Sequence, residues 1–242
     1  MSKVSVKQLF ESGAHFGHQR GMSHPHAQDF VQTVVDKTLI INLDKTQAML
    51  EEALTYLSKQ VQEGKSVLIV GTKLQARKTV ERIAKDLGIA YVVNKWLGGT
   101  LTNFETIKAS LKKLEEYDET VQTKEYESMP KKAKAMFSAK HKRLKNNLEG
   151  LKSLEKAPDA LIIVDTKREN TAVVEARKVH IPIVGLVDTN ADPYIIDYPI
   201  IINDDSTKTI NLVLDLVAET IKKSQKVHAL SDKKVSEQKN VD

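Results

Sequence analysis

The sequence has no cysteine. That excludes a disulfide scaffold, a Cys-ligated zinc or iron–sulfur centre and every thiol mechanism. No run reaches the roughly 18 apolar residues that a membrane-spanning helix needs. The opening residues, Met1-Ser2-Lys3-Val4-Ser5-Val6-Lys7, lack the apolar core of a secretory signal. The expectation is a soluble cytoplasmic protein with no membrane contact. Aromatics are scarce, with one Trp, six Tyr and five Phe, too few for the stacking platforms that hold single-stranded nucleic acid.

The motifs of nucleotide binding are also missing. Gly71-Thr72-Lys73 follows an apolar run, but a P-loop needs an earlier glycine to build its amide cradle. Gly98-Gly99 and Gly71 do not supply the three spaced glycines of a dinucleotide fingerprint. An enzyme or nucleotide-binding protein working near Gly71 and Asp188 remains the rival reading.

What is present is an alternation of short apolar runs with longer amphipathic stretches, the pattern of a parallel sheet covered by helices. Leu39-Ile40-Ile41 reads as a first strand, followed by a helix over about 45–62 that Gly64 stops. Val67-Leu68-Ile69-Val70, a helix over 74–87 closed by Gly88, and the strand 89–93 come next. After Pro158 the alternation resumes with strands at 160–164 and 183–187, a helix between them, and a run at 200–202. A last helix covers about 206–223. Nearly continuous apolar strands belong to a sheet buried on both faces, so the expected fold class is α/β, doubly wound and mainly parallel.

Residues 103–157 exceed what one crossover requires. Ile107, Leu111, Leu114 and Val121, then Phe137, Leu144, Leu148 and Leu151, recur at helical spacing. They predict an inserted antiparallel coiled-coil hairpin turning near Ser128-Met129-Pro130. The sheet domain then comprises 1–102 and 158–224, and 225–242 is expected to be a mobile polar tail.

Net charge is +5 overall, but it is unevenly placed. Residues 115–127 carry six acids and one base, whereas 128–146 carry seven bases and no acid. Lys131, Lys132, Lys134, Lys140, Lys142, Arg143 and Lys145 thus crowd one helix, where like charges repel unless a polyanion relieves them. Two bland alternatives are a solvated face neutralised by the acidic partner helix and a protein-docking coiled coil.

His15, His18, His24 and His26 cluster early, yet no carboxylate stands at fixed spacing beside them, so no metal site is assigned. Asp165, Asp188, Asp192, Asp204 and Asp205 gather at strand ends, where parallel sheets place binding groups. For Asn203-Asp204-Asp205, just before a helix, capping is the favoured explanation.

One segment goes beyond composition. Asn94-Lys95-Trp96-Leu97-Gly98-Gly99-Thr100-Leu101-Thr102-Asn103 combines the single Trp, two adjacent glycines and an Asn placed to cap a helix. It resembles a signature of the bacterial ribosomal protein S-two family. Phe10-Glu11-Ser12-Gly13-Ala14-His15-Phe16-Gly17-His18-Gln19, Ile40-Ile41-Asn42-Leu43-Asp44-Lys45-Thr46, Pro158-Asp159-Ala160, Val187-Asp188-Thr189-Asn190-Ala191-Asp192-Pro193 and Asn203-Asp204-Asp205 match in order, over about 5–222. The chain departs from the family where an aromatic residue and Asn-Pro-Lys-Met-Lys usually follow. It has Ser23-His24-Pro25-His26-Ala27-Gln28, and neither His26 nor Gln28 is assigned to RNA.

The resemblance implies a flavodoxin-like sheet with a projecting hairpin, no enzymatic activity, no cofactor and no homo-oligomer. It implies a structural place in the small ribosomal subunit, where the protein binds small-subunit rRNA and supports the mRNA-binding protein S-one. The expected rRNA-binding residues are Lys95, Trp96, Gly98, Gly99, Thr102 and Asn103, the seven cations of 131–145, and His15, His18 and Gln19.

Overall fold

A computed structural model of the chain describes the backbone of residues 4–239, and the side chains among them except at 125 and 232–239. The chain opens with α1 (Val6–Ser12), whose Ser5 and Gln8 form a reciprocal capping box. Three short strands follow, β1 (Phe16–Gln19), β2 (Val31–Val35) and β3 (Thr38–Ile41). They pair antiparallel in the order β1-β3-β2. The run 39–41 is therefore a strand, but of this small separate sheet rather than of the parallel one. Side chains along β2 are mostly exposed, so no apolar run marked β2 or its neighbour β1 in the sequence.

The remaining strands are β4 (Val67–Val70), β5 (Ala90–Val92), β6 (Ala160–Val164), β7 (Ile183–Val187) and β8 (Tyr198–Ile201). All four neighbouring pairs run parallel, in the order β5-β4-β6-β7-β8. Counted from its own first strand that order is the flavodoxin-like 2-1-3-4-5. Strands β4, β6 and β7 are buried at every position, because successive side chains feed two different cores.

On one face Val67, Ile69, Ile162, Val184 and Ile200 pack with α2 (Leu43–Gln62), α3 (Leu74–Leu87) and α8 (Thr207–Lys239). Leu50, Leu57, Val80, Ile83, Leu214 and Val217 close that layer. Asn42 starts α2 by accepting from the amides of Asp44 (3.0 Å) and Lys45 (3.1 Å). On the other face Leu68, Val70, Leu161, Ile163 and Val187 meet α7 (Asn170–Lys178) and the inserted helices.

The insertion holds α4 (Phe104–Thr120), α5 (Lys124–Ser128) and α6 (Lys131–Leu148). The reversal occupies 121–130 and contains α5, so it is longer than a turn at 128–130. Val121 ends α4 rather than extending its apolar stripe. Ile107, Leu111, Leu114, Leu148 and Leu151 share a core with the sheet, so the base of the insertion is part of the same hydrophobic body. Each such leucine contributes about 1.5–3 kcal/mol by leaving water. Further out, Tyr117 meets Phe137 with ring centroids 4.7 Å apart. The chain returns to the sheet through Gly150, where an added Cβ would lie 2.2 Å from the Tyr91 carbonyl. No side chain fits at that approach.

Residues 225–239, most of the stretch expected to be a mobile polar tail, continue α8 to Lys239. Gln225 Nε2 donates to the Leu87 carbonyl (3.0 Å), and the His228 ring sits 3.0 Å from the Gln62 carbonyl. Residues 240–242 lie outside the described residues.

Candidate nucleic-acid interface and the carboxyl edge of the sheet

In an open parallel sheet, ligands bind beyond the carboxyl ends of the strands where the strand order reverses. Here the reversal lies between β4 and β6. It is filled by the protein's own side chains. Glu169 accepts from the Thr72 amide (3.1 Å) and from the Thr72 hydroxyl. Burial raises the Glu169 carboxyl above its ordinary range, and the Thr72 hydrogen bonds only partly offset this. Next to it the Lys73 ammonium touches Asp165 Oδ2 (3.0 Å), Asp204 and Asp205 Oδ1 (2.6 Å). Asp165 reaches it from a left-handed backbone conformation, φ 66°, which Asp tolerates better than most residues.

Burial alone would discharge Lys73, but the facing carboxylates, Asp204 first, hold it protonated well above the ordinary lysine range. Asp204, itself buried, is pushed up by desolvation and by Asp165 and Asp188, with Lys73 pulling the other way. This lysine is consumed inside the protein. Its position after β4 does not make a phosphate cradle.

Against the expectation of a helix cap, none of 203–205 caps α8 itself: Asn203 accepts from the amides of Asp205 (3.0 Å) and Ser206 (3.3 Å), which precede the helix. Ser206 Oγ then accepts from Thr209 N at 3.3 Å. Asp204 and Asp205 turn instead toward Lys73.

The N-terminal segment docks on the same edge. His18 N donates to Thr189 Oγ1 (2.8 Å), and His24 N donates to the Thr189 carbonyl (2.8 Å). The His18 ring places Nδ1 3.0 Å from Asp188 Oδ1 and Nε2 3.8 Å from Asp205. The hydrogen bond to Asp188 raises the His18 pKa above its ordinary value despite burial. His15 is sandwiched between Phe10 (4.3 Å) and Phe16 (4.0 Å), and burial lowers its pKa. Gln19 is exposed at the end of β1. The fold supplies the carboxylates that local spacing did not: Asp188 and Asp205 stand at His18, and Asp192 stands at His24 and His26.

After β5 the loop 94–103 is organised by one buried side chain the sequence reading missed, Glu175 of α7. Its Oε1 accepts from Trp96 Nε1 (3.1 Å) and Gly99 N (2.8 Å). Its Oε2 accepts from the amides of Leu101 (3.0 Å) and Thr102 (3.3 Å), and from the Thr102 hydroxyl (3.3 Å). Burial would raise this carboxyl, but those donors outweigh it and hold the pKa below the ordinary range. Gly99 has φ 89°, a conformation glycine adopts at no steric cost. Trp96 is buried, so its ring shapes the loop from inside. Lys95, Gly98, Thr102 and Asn103 are exposed. Asn103 precedes α4 without a side-chain cap to its backbone and accepts from the Thr106 hydroxyl (2.9 Å) instead.

Asn94 Nδ2 donates to the Asn146 carbonyl (2.6 Å), which ties this loop to the end of α6. Among the described residues, the acidic stretch 115–127 pairs with His141 on α6 and with none of that helix's lysines or its arginine. From α4, Asp118 pairs with His141 (2.7 Å) and with Lys152 (2.5 Å) beyond α6. Lys134 lies over the Tyr126 ring at 4.6 Å, and Lys145 reaches Glu149 at 3.9 Å. Among the described residues, Lys131, Lys132, Lys140, Lys142 and Arg143 make no ion pair, and all five are exposed.

A family model described as Ribosomal protein S2 matches residues 9–224. The chain belongs to the ribosomal protein S2 family. It is 45% identical over 221 residues to the small ribosomal subunit protein uS2 of Petrotoga mobilis, covering 91% of this chain and 77% of that one. The uS2 of Dictyoglomus thermophilum is 42% identical over 221 residues, covering 91% and 90%. That of Koribacter versatilis is 40% identical over 241 residues, covering 100% and 79%.

As an S2-family member the chain is a structural, non-enzymatic constituent of the small ribosomal subunit, a cytoplasmic particle of the translation machinery. That agrees with a sheet edge sealed by internal ion pairs. The rival enzyme reading is set aside. No helix among the described residues is long and apolar enough to cross a membrane.

Proposed function

We propose that this S2-family chain holds small-subunit rRNA through phosphate contacts made by α6 and the loop 94–103, and that it supports docking of protein S-one. The observation that carries the RNA reading is the contrast on α6: seven bases in 128–146, five of them exposed and unpaired among the described residues. Lysine and arginine at such spacing gain most from a polyanion, whose condensed counterions they release. The Asn94–Asn146 hydrogen bond makes the loop and α6 one surface, with Lys95, Gly98, Thr102 and Asn103 on its rim. Gly99 and Trp96 fix the loop's shape, and Lys134 and Lys145 extend the basic row. Gln19 adds a polar contact at the N-terminal sheet. His15 and His18, committed to Phe10, Phe16 and Asp188, position that sheet.

In the same proposal residues 1–102 and 158–224 form the sheet body, and 103–157 a coiled-coil arm rooted in its core. The S-one part rests on family resemblance, as does the expectation that copies of the chain do not self-associate. Changing Lys140, Lys142 and Arg143 together to Glu should lower incorporation into reconstituted small subunits. Incorporation equal to wild type at raised salt would reject the RNA reading. Loss of S-one from subunits lacking only this protein is expected, and its full retention would reject the docking part.

A further inference from the structure

Thr72, at the open end of the sheet between β4 and β6, holds two arginines that the rRNA reading leaves unused. Arg77 Nε of α3 donates to its carbonyl (2.8 Å), and Arg168 Nε, just ahead of α7, donates to its hydroxyl oxygen (3.1 Å). A guanidinium has five N–H donors, and each of these arginines spends only Nε. Among the described residues, no ion pair or further side-chain hydrogen bond engages either terminal fork. The acids beside them are used elsewhere. Asp165 meets Lys73 at 3.0 Å and accepts from the Arg168 amide (2.9 Å). Glu169 accepts from Thr72, and its carboxyl stays above the ordinary range even with the Arg168 charge beside it. Both arginines also stand at helix N-termini, Arg77 in the first turn of α3 and Arg168 before α7. A cation there opposes the helix dipole, so helix stability accounts for neither position.

We propose that Arg77 and Arg168 form a paired-guanidinium grip for a backbone phosphate of small-subunit rRNA, which carries the RNA-binding surface from α6 across the end of the sheet. The grip rests on the rRNA reading and extends it to two further elements. Arg77 lines a cleft of about 280 Å³ with Asn94 and Asn146, the pair whose 2.6 Å hydrogen bond joins the loop 94–103 to α6. The two surfaces are therefore continuous. Arg77 is half-buried and Arg168 exposed, so both forks are open to a ligand arriving from solvent. A guanidinium presents parallel N–H groups that match two phosphate oxygens. Thr72 already fixes both at Nε, so little side-chain order remains to be gained on binding. The helix N-termini that disfavour the cations favour an anion held between them. Lys73, the other cation at this edge, is enclosed by Asp165, Asp204 and Asp205 and adds nothing to a deeper nucleotide pocket. The fitting ligand is a phosphate of a chain that passes over the edge.

The test follows binding of the full chain to small-subunit rRNA across a salt series. It compares wild type, Arg77→Gln with Arg168→Gln, Arg77→Lys with Arg168→Lys, and the α6 variant Lys140→Glu, Lys142→Glu, Arg143→Glu. The Gln pair should bind at least about tenfold more weakly, with a log–log salt slope shallower by roughly 0.7–0.9 for the one phosphate lost. The Lys pair keeps the charge but not the fork, so its slope should match wild type while its affinity stays lower. On wild type, phenylglyoxal should modify Arg77 and Arg168 in the free protein and spare both in the rRNA complex. Arg82, paired with Asp215 of α8, should react equally in both, a readout that needs no variant to fold. The grip alone is overturned if the Gln pair binds as wild type does while the α6 variant is weakened, or if both arginines stay reactive in the complex. A weakened Gln pair beside an unaffected α6 variant would reject the α6 contacts and keep the grip. If wild type binds no rRNA, the rRNA reading falls and the grip with it. Saturable binding of adenosine monophosphate that the Gln pair loses would make the edge a nucleotide pocket and overturn the grip as well.

Discussion

Two sets of lysines in this molecule meet opposite fates. Lys73 lies buried against Asp165, Asp204 and Asp205, and its charge is spent on folding the carboxyl edge. Lys131, Lys132, Lys140 and Lys142 of α6, with Arg143, stand in solvent and pair with no described acid. A charge count treats all of them alike. Pairing separates them: a cation enclosed by carboxylates stabilises the protein, whereas the row left without a described acid on α6 is, in the proposed function, kept for a partner.

That division can be broken at several points, taken here in falling order of expected effect on stability. Lys73→Met leaves a cluster of buried carboxylates uncompensated and should cost about 3–5 kcal/mol in a denaturant titration; a loss below about 1 kcal/mol would mean the cluster is not an energetic unit. Glu175→Gln replaces one acceptor oxygen by a donor facing the loop amides, and should cost about 2–3 kcal/mol. Because Trp96 is the single Trp, its emission reports this loop directly and should shift to longer wavelength in that variant.

His18 gives a pH test. Its folded pKa is raised, mainly by the Asp188 hydrogen bond. The stability it contributes is full below about pH 6.5, the unfolded value, and is lost as pH climbs through the higher folded value. His18→Gln should flatten the stability profile in that window, and an unaltered profile would dismiss the His18–Asp188 pair. Smallest of all, changing Lys140, Lys142 and Arg143 to Glu should move the stability of the free protein by less than about 0.5 kcal/mol.

The sequence made the parallel sheet legible because strands buried on both faces must be apolar at nearly every position, as β4, β6 and β7 are. It hid β1 and β2 because Phe16 and most of β2 face solvent, leaving no hydrophobic pattern to find. Asp204 looked like a cap because its neighbours are capping residues, and only the fold shows that Lys73, 131 positions away, claims it. Glu175 carried a usable signal. It sits between the inward Ala172 and Ala176 of α7, and an acid at such a position demands donors, which the amides of 99–102 provide. The α6 cations were visible as composition, but their freedom from α4 was not, since that depends on which side of each helix the charges take.

The central claim is that the α6 cations are held in reserve for phosphate. The most direct measurement is the affinity of the full chain for small-subunit rRNA as a function of salt, for wild type and for the Lys140, Lys142, Arg143 to Glu variant. The account predicts weaker binding with a log–log salt slope shallower by roughly 0.7–0.9 for each phosphate that the variant no longer neutralises, at an unchanged denaturation midpoint. An identical slope in the two proteins would contradict it.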